Sequence, residues 1–314
     1  MYIEEITKEQ YDKLRDSTAY IYSDVKFNML NEFKIDMISY LLFKDTKLRF
    51  LLCVGIKDDM MFCPFSAPFG TFIKIKDRTS IKQYDEALEV LDEFIASKNY
   101  KACKFILPPD IYYQEEIILL INSLFRANYT IKHIDINFQF DFKEIILENY
   151  IDNLSTNARR NLKIALSMNL KFIKCEMDSE RAIAYNIIKN NREYKGYPLR
   201  MSYEQILETS KIVKSEFFMV KYGENYIASA IVFYVKMDIA QLIYWGDING
   251  YSEYKPMNFL AYHLISYYKK KGISYLDIGP ASDEGIPNYG LCDFKKSIGC
   301  GTSNKFTFEK KYCG

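Results

Sequence analysis

The stretch from Ser274 to Gly301 reads SYLDIGPASDEGIPNYGLCDFKKSIGCG, and the rest of the chain is organised around it. A short apolar strand, Ile273 to Ile278, stands between Gly272 and Gly279. A loop dense in turn formers follows, with Gly279, Pro280, Ser282, Asp283, Gly285, Pro287, Asn288 and Gly290. A short helical segment, Leu291 to Ile298, carries Phe294-Lys295-Lys296 and stops at Gly299. Open α/β sheets place their ligands at long polar loops that leave the C-terminal ends of strands. The reaction or binding site is therefore expected here.

Upstream, Met37 to Phe43, Leu48 to Val54 and Met60 to Phe65 read as three short aromatic or β-branched strands, after a helical or irregular lead-in over residues 1–35. Helices are expected over Tyr84 to Ser97 and Gln114 to Asn128, with strands at Lys104 to Leu107 and Ile134 to Phe140. A helix near Asn153, capped by Ser155 or Thr156, sets Ala158, Leu162, Ala165 and Leu166 on one face and Arg159, Arg160 and Lys163 on the other. Glu180 to Asn190 and Tyr203 to Val213 read as helices joined by the loop Asn191 to Met201. Three strands (Phe217 to Tyr222, Ile227 to Val235, Ile239 to Trp245), a helix from Pro256 to Lys270 and a last strand, Lys305 to Glu309, complete the reading.

Leu91 to Asp110 parallels His263 to Asp283: helix, polar turn, buried strand, proline loop. The order β-β-β-α-β-α-β thus occurs twice, an architectural duplication with its boundary near Asp141 to Asp152. The expected fold class is α+β with mixed sheets, in two domains, 1–145 and 146–314.

The 314 residues carry 42 basic and 41 acidic side chains, a net charge of +1, which gives no support to an extended nucleic-acid surface. Seven cysteines lie in no C-x-x-C spacing and only His133 and His263 are present, so no zinc pattern can be written. Free thiols in a reducing cytosol are expected. The start shows no signal-peptide pattern, and no apolar run suits a membrane span. A cytoplasmic location without membrane insertion or metal is the expectation.

Three segments carry a family resemblance. Leu154-Ser155-Thr156-Asn157-Ala158-Arg159-Arg160-Asn161-Leu162-Lys163 resembles the linker helix of FemABX-type proteins. Asn288-Tyr289-Gly290-Leu291, through Phe294-Lys295 to Ile298-Gly299, resembles their C-terminal segment. Trp245-Gly246-Asp247 with Tyr254-Lys255-Pro256-Met257-Asn258 is similar to the strand-to-helix turn of their second domain. The chain also resembles bacterial GNAT-type proteins of unknown substrate. The resemblance implies two tandem GNAT-like domains, the N-terminal one degenerate, and an N-acyltransferase or aminoacyltransferase. Its donor would be acyl-CoA or aminoacyl-tRNA, with no tightly bound cofactor. Its acceptor would be a small molecule or an amine like those of peptidoglycan precursors. The Q/R-x-x-G-x-G/A loop of GNAT enzymes is replaced here by Gly250-Tyr251-Ser252-Glu253-Tyr254-Lys255-Pro256, which weakens acetyl-CoA as donor. The alternative is a non-catalytic protein of the same fold that binds a carboxylate- or phosphate-bearing ligand.

The resemblance gives Lys295 a place near the transfer centre, where an ammonium could bind acceptor carboxylate or phosphate, or stabilise an oxyanion. The plain alternative is a surface lysine. Asp277, alternating with Leu276 and Ile278 in the strand, could act as base toward the acceptor amine; such an Asp more often accepts loop N–H bonds. Tyr289 could protonate a leaving group, or be rim. Arg159, Arg160 and Lys163 could hold a phosphate-bearing substrate, or form a solvated helix face. Tyr197 and Arg200 suit a small polar acceptor, or an ordinary connector; Asn288 joins them as a substrate-binding candidate. Trp245, Gly246, Tyr254 and Lys255 are assigned to the donor side, with a capping turn as the alternative for the last two. A packed helix His is the default for His263, and Cys292 and Cys300 lack a His near in sequence.

Overall fold

The computed structural model describes residues 1–75 and 79–312. Two element series run in the same order. The first has strands Met37–Lys44, Leu48–Lys57 and Met60–Cys63, helix Ile81–Ser97, strand Ala102–Ile106, helix Gln114–Arg126 and strand Thr130–Asp141. The second has strands Ser215–Tyr222, Asn225–Lys236 and Ile239–Asp247, helix Pro256–Lys270, strand Tyr275–Pro280, helix Tyr289–Ser297 and strand Gly301–Lys311. Apart from the two-residue strands Ile73–Lys74 in the first series and Ser282–Asp283 and Ile286–Pro287 in the second, the order is the repeated one read from the sequence, and the fold is α+β with mixed sheets.

The chain divides into two compact units. One comprises Met1–Ile136, Ser282–Ile286 and the chain from Ser303; the other comprises Asn137–Ala281 and Pro287–Thr302. In the first unit, strand Met60–Cys63 runs parallel to Ala102–Ile106, which pairs antiparallel with the last strand through Thr307↔Ile106 to Lys311↔Ala102. Helices Ile81–Ser97 and Gln114–Arg126 cover this sheet, burying Leu88, Leu91, Leu120 and Leu124 against Phe50, Phe72 and Phe105. The lead-in departs from expectation: Tyr2–Ile6 is a strand pairing antiparallel with Met37–Lys44. Only five residues long and mostly half-exposed, it carries little apolar signal of its own.

In the second unit the sheet runs, in order, through the end of Thr130–Asp141, then Tyr275–Pro280, Ile239–Asp247, Asn225–Lys236, Ser215–Tyr222 and Leu170–Lys174. The last of these was not read from the sequence. Helix Thr156–Ser167 starts at Ser155, whose Oγ accepts from the Ala158 N–H, and buries Ala158, Leu162 and Ala165. Helix Pro256–Lys270 has the bounds the sequence predicts: Pro256 opens it, and Gly272, at φ 73°, lies just past its end. It buries Phe259, Leu260, Leu264, Ile265 and Tyr268. Burial of a side chain of this size stabilises by about 1.5–3 kcal/mol. Helix Asp178–Lys195 faces strands Asn225–Lys236 and Ile239–Asp247. It runs five residues past the expected end and stops where Gly196 takes φ 67°.

A buried carboxylate ties the helix to the sheet. Glu216 accepts from Tyr267 Oη at 2.7 Å, from Tyr234 Oη and Tyr268 Oη at 2.9 Å, and from Lys271 Nζ at 2.6 Å. Burial alone would raise its pKa; the bonds from Lys271 and the three tyrosines outweigh this and hold it below the ordinary value.

Candidate functional site

Strands Ile239–Asp247 and Tyr275–Pro280 lie parallel, but their ladder has only three pairs: Ile239↔Tyr275, Ala240↔Leu276 and Gln241↔Asp277. Strand Ile239–Asp247 continues to pair with Asn225–Lys236 as far as Ala228↔Asp247, so among the described residues its last residues have a ladder on one side only. The register jumps from Ile231↔Tyr244 to Val232↔Leu242, leaving Ile243 as a bulge. Bulges re-aim side chains and end pairing. The two strands therefore part beside a distorted edge.

The other wall is set by Gly279 and Lys295. Gly279, at φ 72°, turns the chain away from the sheet. Lys295 is only 2% exposed, and its Nζ donates to Ile278 O at 2.9 Å, Gly279 O at 2.8 Å and Pro280 O at 3.0 Å. An ammonium has three donors, and three carbonyls take them. The surface-lysine alternative is thus excluded, and the side chain braces the bend. Burial pushes its pKa down to about 8; the Asp277 carboxylate opposes this and the Arg192 charge adds to it.

Asp277 is fully buried. Its Oδ1 accepts from Asn137 Nδ2 and the Gly279 N–H, both at 2.9 Å, and its Oδ2 from Gln241 Nε2 at 2.8 Å. This is the loop-holding role. Asn288 caps helix Tyr289–Ser297, accepting from the Leu291 N–H at 3.0 Å, and its Nδ2 donates to Tyr197 Oη at 2.8 Å. Tyr289 beside it is 77% exposed.

Strand Ile239–Asp247 alternates its side chains. Trp245 packs toward Phe294, ring centroids 5.8 Å apart. Gly246 points the other way, onto Asn191, and Tyr244 onto Arg192, whose guanidinium carbon lies 5.9 Å from the Tyr244 ring centre. The Tyr244 hydroxyl lies against the backbone amides of Met201 and Arg200. Asn191 and Arg192, read from the sequence as loop, are helical and belong to this site. The signal for them was Gly196 following Lys195, with Asn191 continuing the helical spacing of Ile187 and Ile188.

Other candidates sit apart. Arg159 donates to Asp152 O and Leu154 O, closing the turn before its helix, while Arg160 and Lys163 are exposed. The Arg200 side chain is exposed. Tyr254 packs on Tyr222, ring centroids 4.3 Å apart and tilted by 37°, and Lys255, at φ 53°, precedes Pro256 without a side-chain cap bond. His263 packs between Phe172 and Phe259, and burial lowers its pKa. Cys292 Sγ contacts Ala281 O at 3.5 Å, and burial pushes the Cys300 thiol up. The six described cysteines are free thiols; Cys313 lies outside the described residues. No group of three metal-ligating side chains converges among the described residues, and no described helix is long and apolar enough to cross a membrane.

No protein-family model matches the chain, and no curated protein matches its sequence. Solved structures do match. The crystal structure of FemX superposes with a TM-score of 0.69 at 13% identity, covering 99% of this chain and 98% of that one. The C-terminal domain of a protein named as a lysylphosphatidylglycerol synthetase, from Agrobacterium fabrum, gives 0.62 at 9%, covering 96% and 90%. L-PGS from Bacillus licheniformis gives 0.57 at 14%, covering 99% and 94%. At such identities the likeness concerns the fold: this chain has a FemX-like fold.

Proposed function

We propose that this FemX-like fold carries an aminoacyltransferase or N-acyltransferase, working where strands Ile239–Asp247 and Tyr275–Pro280 part. The observation that carries the reading is the three-pair parallel ladder ending beside the Ile243 bulge, with Lys295 bracing the opposite wall. A strand edge without a ladder partner presents backbone N–H groups. One of these, near Tyr244 to Gly246, would hold the oxyanion that forms when an acceptor amine attacks the acyl carbonyl. The C–N bond forms, the ester or thioester bond of the donor breaks, and the proton lost by the amine ends on the departing oxygen or sulfur, which leaves as the hydroxyl or thiol. Lys295 keeps Ile278–Pro280 in place, and Asp277 fixes the Gly279 amide. Neither needs to touch the substrate for this geometry to persist.

Aminoacyl-tRNA is the favoured donor. The glycine cradle for a CoA pyrophosphate is missing, and one fold neighbour is named for making an aminoacyl lipid. The acceptor is a small molecule or an amine like those of peptidoglycan precursors, met in the cytoplasm. In the assay, aminoacyl-tRNA and acyl-CoA, each labelled in the acyl group, are incubated with the protein and a metabolite extract. Label is expected in an acid-stable amide; none from either donor would refute the reading.

One observation favours a second reading. Because Gly250-Tyr251-Ser252-Glu253-Tyr254-Lys255-Pro256 lacks the glycines of a donor-phosphate loop, the fold also suits a protein that binds a carboxylate- or phosphate-bearing ligand without turning it over. A ligand that raises the thermal midpoint and is recovered unchanged would support it.

A further inference from the structure

Arg192 is a half-buried cation whose guanidinium makes no hydrogen bond or ion pair among the described residues. Its Nε is enclosed and without a partner. The nearby carboxylates are engaged elsewhere: Glu193 lies 3.9 Å from Lys189, and Asp247 lies 3.6 Å from Lys195 while accepting from Asn191 Nδ2 at 3.1 Å. The guanidinium carbon lies 5.8 Å from the Tyr197 ring centre and 5.9 Å from that of Tyr244, so the two aromatic faces hold the group without occupying its hydrogen-bonding edge. The frame is fixed in turn. Asn288 holds the Tyr197 hydroxyl, and the amides of Arg200 and Met201 lie against that of Tyr244. The charge also reaches Lys295, a fully enclosed cation. Two cations share one region, and the one with an open fork has no counter-ion. Half-burying a charge with its Nε enclosed strips part of its hydration, which an anion on the fork would replace.

We propose that Arg192 is the carboxylate-binding residue of this site, and that the acceptor carries a carboxylate on the same molecule as its reacting amine. The planar fork matches a carboxylate by two parallel bonds. Lys295 adds field but no free N–H, so the pocket offers one fork and suits a monoanion better than a doubly charged phosphate. Only the word acceptor rests on the transferase reading; the carboxylate site stands on its own observations.

The test is an NMR titration of the full-length protein, following the backbone amides of Tyr197 and Gly246. Sodium acetate is added at constant ionic strength against sodium chloride, and inorganic phosphate in parallel. Wild type should shift saturably with acetate and not with chloride. Arg192→Lys keeps the charge and loses the fork, and its acetate affinity should fall by about tenfold or more. A linear response, an equal response to chloride, or unchanged affinity in Arg192→Lys would overturn the proposal. Tighter binding of phosphate than of acetate would overturn its ligand class. The titration contains no acyl donor, so acetate binding without any transfer leaves this site standing and removes the transferase reading. Transfer to carboxylate-bearing amines with a KM unchanged in Arg192→Lys does the reverse.

Discussion

Asn191 occupies the space that any side chain at position 246 would need. A Cβ on Gly246 would lie 2.7 Å from Asn191 Cγ, and Asn191 Nδ2 donates to Asp247 O at 2.6 Å. The helix meets the open-edged strand at van der Waals distance, and the amide pins the strand's last peptide. Gly246→Ala should therefore destabilise the protein by about 1–3 kcal/mol through overpacking. Adding Asn191→Ala should recover part of that loss in a double-mutant cycle read by urea denaturation. Additive effects would mean that the two residues are not coupled.

Lys295→Met should be destabilising for a different reason. It leaves the carbonyls of Ile278, Gly279 and Pro280 without their donor. Unpaired buried acceptors cost about 1–3 kcal/mol each, less where water enters, so a net loss of about 3 kcal/mol is expected. Equilibrium unfolding checks it. A variant as stable as wild type would show that the bend does not depend on the ammonium.

Glu216 gives an acid-side prediction. Its carboxyl is held below the ordinary glutamate value of 4.5, so the folded state binds fewer protons than the unfolded state as pH falls below that value. The stability it confers is complete above about pH 4.5 and is lost as pH falls through the depressed folded value. Glu216→Gln should flatten this part of the stability–pH curve, measured by urea midpoints from pH 5 downward. A curve as steep as wild type would assign the acid sensitivity elsewhere.

Arg160 and Lys163 are exposed and show no partner among the described residues. Arg160→Ala with Lys163→Ala should change stability by less than about 0.5 kcal/mol. If they hold a phosphate-bearing substrate, the pair should raise KM and leave kcat unchanged. Unchanged KM would leave them as a solvated helix face.

The repeated order was legible because its punctuation is strong: Pro256 opens a helix and Gly272 closes it, Ser155 caps another, and Gly279-Pro280 ends the key strand. Weaker punctuation misled. Tyr2–Ile6 and Leu170–Lys174 are five-residue strands at sheet edges, where half-exposed residues blur the apolar pattern. The polar run after Asn190 resembled a loop, which hid Asn191 and Arg192, although Gly196 marked the true stop. Periodicity could not say where the flexible Lys295 side chain ends, because three carbonyls from another segment decide it. Nor could it show that Asp277 faces Asn137, a residue 140 positions away.

The proposed transfer places the acyl group between the parted strands of the second unit. A crystal structure with a stable amide analogue of an aminoacyl-tRNA 3′ end tests it most directly. The analogue's carbonyl oxygen is expected within hydrogen-bond reach of a backbone N–H between Ile243 and Gly246. An analogue bound elsewhere, or a gap filled by side chains with no analogue present, would contradict it.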